Sequence, residues 1–304
     1  MIKIIAIPKK SKASPSVRMR YYNFLENLSN EFQWETYTDN LDGDVLYVEK
    51  NASLKTVNIA KEALKRGMLL FYDVDDPIKV RKNNNMVKMI KLADVVTVDT
   101  KPRKLSAERF SNNVVIIPDG MDYQNKPKKR LVIRDKIKKV VTFGYPQKII
   151  DAAPYVNKAN VERRYIGARK CNKYKNATFI KWKYKNFLDE LLINDVVILV
   201  HGKTKIDKAR SNNRLIAAMS IGMPTIVADS YAYKNIVKEA GHSYLVARTE
   251  KDVPRILNKI ASSKVRQKIS DDFFKYSWEN YSSQKSSLMF AKLIKKELVC
   301  KKSL

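Results

Sequence analysis

Glycine is scarce in this chain, with 8 residues among 304. No glycine-rich phosphate loop follows the first apolar stretch. Ser14-Pro15-Ser16-Val17-Arg18-Met19-Arg20 stands there instead. The two cysteines, Cys171 and Cys300, have no metal-ligand spacing and point to a reducing, cytoplasmic compartment. With only His201 and His242, histidine-rich metal sites are excluded. No run of 18 apolar residues occurs, so no membrane span is expected. Residues 1–8 are too short for a signal core and read as a first buried strand.

Acidic side chains are also few, 31 against 60 basic ones, for a net charge of +29. The excess is uneven. Residues 136–304 hold 35 basic and 14 acidic side chains, a net of +21, and residues 1–135 the remaining +8. A field of that sign favours polyanionic partners: nucleic acid, an anionic lipid surface or an anionic glycan. Residues 158–185 concentrate it, with ten basic side chains, one acid (Glu162), and Tyr165, Tyr174, Phe179, Trp182 and Tyr184 interleaved. Cations that meet phosphates beside rings that stack on bases make a nucleic-acid groove. Lys173, Lys175 and Lys183 are its candidate contacts. The same alternation also suits a strand whose lysines are merely solvated.

The apolar share of 44% can fill two cores of about 150 residues each. Strand-like runs at 3–7, 45–48, 68–72, 95–98 and 114–117 alternate with helical stretches at 20–28, 54–65 and 86–92. A charged, proline-containing segment at 124–138 interrupts the rhythm and reads as a linker. Strands resume at 139–143, 162–166, 178–180, 196–200, 225–228 and 244–246. Helices fit at 186–192, 213–221, 233–240, 253–262, 263–276 and 282–298. There is no internal repeat and no low-complexity segment. The expectation is α/β: two Rossmann-like domains facing across a cleft, residues 1–130 and 139–281, with a terminal helix in 282–304. In open parallel sheets, ligands sit beyond the C-terminal strand ends.

Residues 211–227 carry the strongest local signal. Ser211 and Asn212 are placed to cap a helix, Gly222 and Pro224 end it, and Thr225 begins a strand. Such a helix start suits a phosphate, with Lys208 and Arg210 adding charge just ahead of it. An ordinary α/β crossover gives the same pattern.

Three elements together resemble the GT-B glycosyltransferases, which move a sugar from a nucleotide-sugar donor. They are Ala93-Asp94-Val95-Val96-Thr97-Val98, then Val114 to Pro118 with Asp119-Gly120-Met121-Asp122, then 211–226. The resemblance spans about residues 1–285 and implies donor binding, a UDP-sugar, in the second domain. Gly144, Tyr145, Ile180, Lys181, His201, Lys208, Arg210, Ser211 and Asn212 are the donor-site candidates. Arg18, Arg20, Asp119 and Gly120 are candidates for acceptor or phosphate contact. Asp75 and Asp76, in Asp73-Val74-Asp75-Asp76-Pro77, would orient an acceptor hydroxyl or act as base. Capping of the next helix explains those acids equally well. No metal or other cofactor is expected, because the diphosphate would be met by cations and a helix end. One departure stands out: Ala217 occupies the position where the family holds the donor ribose with Glu.

Two classes of function follow. One is a glycosyltransferase with a polyanionic acceptor, either a hydroxymethylated base in DNA or a surface glycan built at the inner membrane. The basic, aromatic second domain favours DNA. The other is a non-enzymatic nucleic-acid-binding protein on a GT-B scaffold that has lost activity, for which Ala217 argues.

Overall fold

The computed structural model describes residues 1–9, 14–78, 84–122, 130–174, 176–202, 204, 207 and 210–303. Lys175, Lys208 and residues 124–129 of the expected linker lie outside the described residues. The chain divides into two compact units, Met1–Asp122 with Tyr281–Leu304, and Tyr123–Asn280.

The first unit is a six-stranded parallel sheet. Its strands are β1 (Ile2–Ile7), β2 (Phe32–Thr36), β3 (Val45–Glu49), β4 (Leu69–Val74), β5 (Val95–Val98) and β6 (Val114–Ile116), in the order β2-β1-β3-β4-β5-β6. β2 was not expected from the sequence. Phe-Gln-Trp-Glu-Thr is an edge strand with one buried residue, and its charged positions hide it. β3 and β4 are buried along their whole length, as strands covered on both faces must be. Alternate residues feed two cores. Ile5, Leu46, Val48, Leu70, Tyr72 and Val96 face one side. Ile4, Val45, Tyr47, Leu69, Phe71 and Val95 face the other.

Helices α2 (Leu54–Lys65), α3 (Asn85–Leu92) and α4 (Lys101–Ala107) connect the strands. The first helical segment, α1, departs from expectation. It is a π-helix over Val17–Tyr22 that continues as α-helix over Asn23–Leu25. A π-turn frequently marks a functional position. Here it delivers Arg20 into the protein interior.

The second unit is also a six-stranded parallel sheet, in the order β12-β11-β10-β7-β8-β9. The strands are β7 (Lys139–Phe143), β8 (Glu162–Gly167), β9 (Ala177–Lys181), β10 (Val196–Leu199), β11 (Thr225–Ala228) and β12 (Val246–Ala247). Expected strand 244–246 is instead a 3-10 turn over Ser243–Leu245 followed by β12. Helices α5 (Pro146–Val156), α6 (Phe187–Leu192), α7 (Asn213–Met219), α8 (Tyr231–Glu239), α9 (Asp252–Lys259) and α10 (Ser263–Tyr281) join them. The chain runs outward from β7 through β8 to β9, then restarts at β10 on the other side. The order therefore reverses between β7 and β10.

The terminal helix α11 (Ser283–Lys302) packs on the first unit, where Phe290, Leu293 and Ile294 enter a core with Phe24 and Phe71. Its buried serines fix its start. Ser286 and Ser287 donate to the carbonyls of Pro118 (3.0 Å) and Phe24 (2.6 Å). A Cβ on Gly120 would lie 2.9 Å from the Ser283 hydroxyl and 3.1 Å from its Cα. Gly120 is needed for this helix approach, which accounts for a glycine here without a ligand.

Candidate functional sites

Each sheet gathers charged side chains at its C-terminal strand ends, and each is described by itself. In the first unit, the buried Arg20 guanidinium donates to both carboxylate oxygens of Asp73, at 2.7 and 2.6 Å. It also donates to Asp119 at 2.7 Å and to the Ile117 carbonyl at 2.9 Å. Thr97 adds a hydrogen bond to Asp73 at 2.5 Å. Burial alone would lower the Arg20 pKa, but the two carboxylates raise it further. The expected phosphate role of Arg20 is thereby corrected. Its donors are spent on tying β4 to the segment after β6, and no surface of the side chain is exposed. Asp119 is the partner in that tie. Arg18 is likewise engaged, as a bidentate partner of Asp122 at 2.6 and 2.8 Å.

Asp75 and Asp76 follow β4 immediately. Asp75 pairs with Lys50, and Asp76 lies 3.1 Å from Lys9 and 3.6 Å from Lys50. Burial works to raise the Asp76 carboxyl, and Lys50 and Lys9 overcome it, holding it below the usual carboxylate range. Lys50 escaped sequence reasoning. It ends β3 with a positive φ of 55°, rare for a residue with a side chain, and its amine is desolvated. A lone lysine after a strand carries no sequence signal for either property.

The second unit has its own cluster at the β7/β10 reversal, where an open parallel sheet takes its ligand. Gly144 ends β7 with φ 148°. A Cβ there would come within 3.2 Å of both the Arg214 guanidinium and the Lys148 side chain. Arg214, from the first turn of α7, donates to the carbonyls of Phe143 (3.1 Å) and Val200 (2.8 Å). It thus bridges the ends of the two strands that flank the reversal.

Lys148 is buried and donates to Asp207 at 2.6 Å and Asp151 at 3.1 Å. Burial opposes the charge on Asp207, but hydrogen bonds from Lys148, Thr204 and Arg210 prevail and hold its carboxyl far down. His201 stacks on Tyr233 with centroids 4.0 Å apart. Burial, then Arg214 and Lys148, push its imidazole down to about 2, so it is neutral at physiological pH. Its Nδ1 is buried with no partner among the described residues.

Of the expected donor residues, Gly144, His201 and Arg210 fall in this cluster. Arg210 is half-exposed and reaches Asp207 at 3.1 Å. Asn212 precedes α7 without making a side-chain capping bond, contrary to the expected role. Tyr145 is exposed at the start of α5. Lys148 and Arg214 were missed, because a lysine inside a helix and an arginine after two asparagines look like solvated surface in sequence.

On the other side of α5 lies a cavity of about 640 Å3 lined by Pro146, Ile149, Ile150, Tyr165, Arg169 and Lys170, among others. Ile180 and the exposed Lys181 end the edge strand β9. Lys173 and Lys183 are exposed. The interleaved rings are another matter. Tyr165 and Tyr174 are buried and stack on each other at 4.4 Å, and Phe179 packs on Tyr165. Only Trp182 is exposed, with Tyr184 beside it. Two of the five expected base-stacking rings, Tyr165 and Tyr174, are therefore core.

No family model and no curated protein sequence matches the chain. Solved structures do. HepE of Anabaena, solved in complex with UDP-glucose, is similar with TM-score 0.65 and 11% identity, over 97% of this chain and 100% of that one. TarM is similar with TM-score 0.60 and 14% identity, over 84% of this chain but 55% of TarM. A trehalose-6-phosphate protein of E. coli bound with UDP-2-fluoro glucose gives TM-score 0.60 and 8% identity, over 95% and 98%. The two parallel six-stranded sheets with their helices are those of the GT-B glycosyltransferase fold.

Proposed function

We propose that the chain is a glycosyltransferase that takes a sugar from a nucleoside-diphosphate donor, a UDP-sugar, bound at the C-terminal strand ends of the second unit. The observation that carries this reading is the convergence of Lys148, Arg210 and Arg214 around Gly144 at the reversal of strand order. Cations there neutralise a diphosphate and stabilise it as it departs. The adjoining cavity offers apolar walls to a nucleoside, and Arg169 and Lys170 flank it. Two of the similar structures hold a UDP-sugar or its fluoro analogue. Lys148 is already paired with Asp207 and Asp151, so a bound diphosphate competes with those carboxylates for it. Neutral His201 is a hydrogen-bonding group for the donor that adds no charge.

For the acceptor, burial of Tyr165 and Tyr174 removes two of the five rings from the stacking argument for a hydroxymethylated base in DNA. The exposed lysines remain, and they suit an anionic surface glycan as well as a nucleic acid. The glycan is therefore the reading we favour. Asp75, paired with Lys50, and Asp76, held below the usual carboxylate range by Lys50 and Lys9, remain the acceptor-side carboxylates.

The test is incubation with a panel of labelled nucleotide sugars, offered with anionic glycan and with hydroxymethylated DNA. Transfer to glycan supports the reading, and transfer to DNA alone reverses the acceptor. Nucleic-acid binding without donor binding, hydrolysis or transfer returns the chain to the non-enzymatic class.

A further inference from the structure

Helix α11 hides one face and shows another. The buried face carries Phe290, Leu293 and Ile294. The outer face carries Leu288, Met289 and Val299, which are 56%, 37% and 66% exposed. These positions fall on one stripe of the helix, and Lys292 and Lys296 fall between them at three- and four-residue spacing. Lys295 borders the stripe and pairs with Glu31. The only acid of α11, Glu297, is largely buried, accepts from Asn113 at 3.1 Å and lies 3.5 Å from Lys296, whose side chain stays 72% exposed. The stripe therefore mixes exposed apolar side chains with lysines and offers no exposed carboxylate of its own. At 1.5 Å per residue the helix is about 30 Å long.

We infer that this outer face of α11 docks on an anionic lipid surface, with the helix lying in the plane of the headgroups. Both kinds of side chain are then used. Leu288, Met289 and Val299 enter the acyl boundary, while Lys292 and Lys296 extend their charged ends to phosphate groups. The alternatives each waste half of the stripe. A nucleic acid would pair with the lysines and leave the apolar residues in water. A second copy related by two-fold symmetry would bury the apolar residues and bring lysine against lysine. No helix among the described residues is long and apolar enough to cross a membrane.

The test uses the full chain in co-sedimentation with two kinds of vesicle, phosphatidylcholine alone and phosphatidylcholine mixed with phosphatidylglycerol. Binding is expected only to the mixed vesicles and should weaken as salt rises. Each lysine near such a surface is worth about five-fold in partitioning, so Lys292→Gln with Lys296→Gln should lower it roughly 25-fold. Leu288→Ser, Met289→Ser and Val299→Ser combined should abolish sedimentation while leaving the charge intact. All five substitutions are at exposed positions of the first unit and none belongs to the donor cluster, so UDP-glucose affinity and the thermal melt provide the control for folding. Absence of binding to the mixed vesicles overturns the inference. So does binding that survives both sets of substitutions, or a stripe whose loss affects DNA retention or oligomeric state and not lipid. Donor binding is measured separately, and its failure would touch the proposed activity without touching this surface.

Discussion

Replacement of Arg20 separates a structural role from a ligand-binding one. The side chain has no exposed surface, and it neutralises two carboxylates that are themselves buried, Asp73 and Asp119. Arg20→Met leaves both acids in a low-dielectric interior without their cation. Breaking a buried ion pair from one side costs about 3–5 kcal/mol. Urea unfolding of a small domain falls by about 1–3 kcal/mol per molar. The midpoint for the first unit should therefore drop by roughly 2 M. Trp34 reports on that unit, since it packs against Tyr21 and Tyr22, next to Arg20 in sequence. The other tryptophans, Trp182 and Trp278, belong to the second unit and are replaced by Phe in the reporter background. Arg20→Lys retains the charge but not the two-pronged contact, and should lie between wild type and Arg20→Met. Adding Asp73→Asn and Asp119→Asn to Arg20→Met should recover part of the loss, because the stranded charges are gone. An Arg20→Met protein with an unchanged midpoint would refute the assignment and restore Arg20 as a ligand contact.

Three further outcomes follow from the second unit. His201 has a folded pKa of about 2 against 6.5 unfolded, so below about pH 6.5 the unfolded chain takes up a proton that the folded one refuses. Its contribution to stability is complete above that pH and falls by about 1.4 kcal/mol per unit as pH drops. His201→Gln should flatten the pH dependence of the melting temperature between about pH 6 and pH 4.5, and parallel curves would contradict this. Arg210 is half-exposed, so Arg210→Ala should weaken UDP-glucose only about two- to five-fold by calorimetry. Arg214, held over Gly144 by the Phe143 and Val200 carbonyls, would give the diphosphate a charged hydrogen bond worth about 1.5–3 kcal/mol, so Arg214→Ala should cost at least about tenfold, and the opposite order would argue against the cluster as the diphosphate site. Finally, turnover should persist in EDTA, since Lys148, Arg210 and Arg214 supply the positive charge. Loss of turnover restored by magnesium or manganese would refute this.

The sequence alone determined the two parallel sheets. Their central strands, such as β3, β4, β5 and β10, are apolar runs buried on both faces, and burial on both faces leaves a continuous apolar signal. It also located the strand ends where Asp75, Asp76, Gly144 and His201 stand, because those positions follow directly from strand boundaries. β2 escaped it, since an edge strand is only partly buried and its polar positions break the pattern, and β12 was expected two residues too early, over a 3-10 turn. What each charged side chain does was decided by tertiary structure. Arg18 and Arg20 sit two residues apart in a basic turn, yet a π-helix carries Arg20 inward to carboxylates more than fifty residues away in the chain. Lys148 and Arg214 resemble solvated helix residues until β7 and β10 become neighbours and bring them over Gly144. Tyr165 and Tyr174 read as a binding platform until the fold stacks them in a core. Periodicity reports whether a position is buried. The partner of a charge or a ring is fixed by chain crossings that no local pattern encodes.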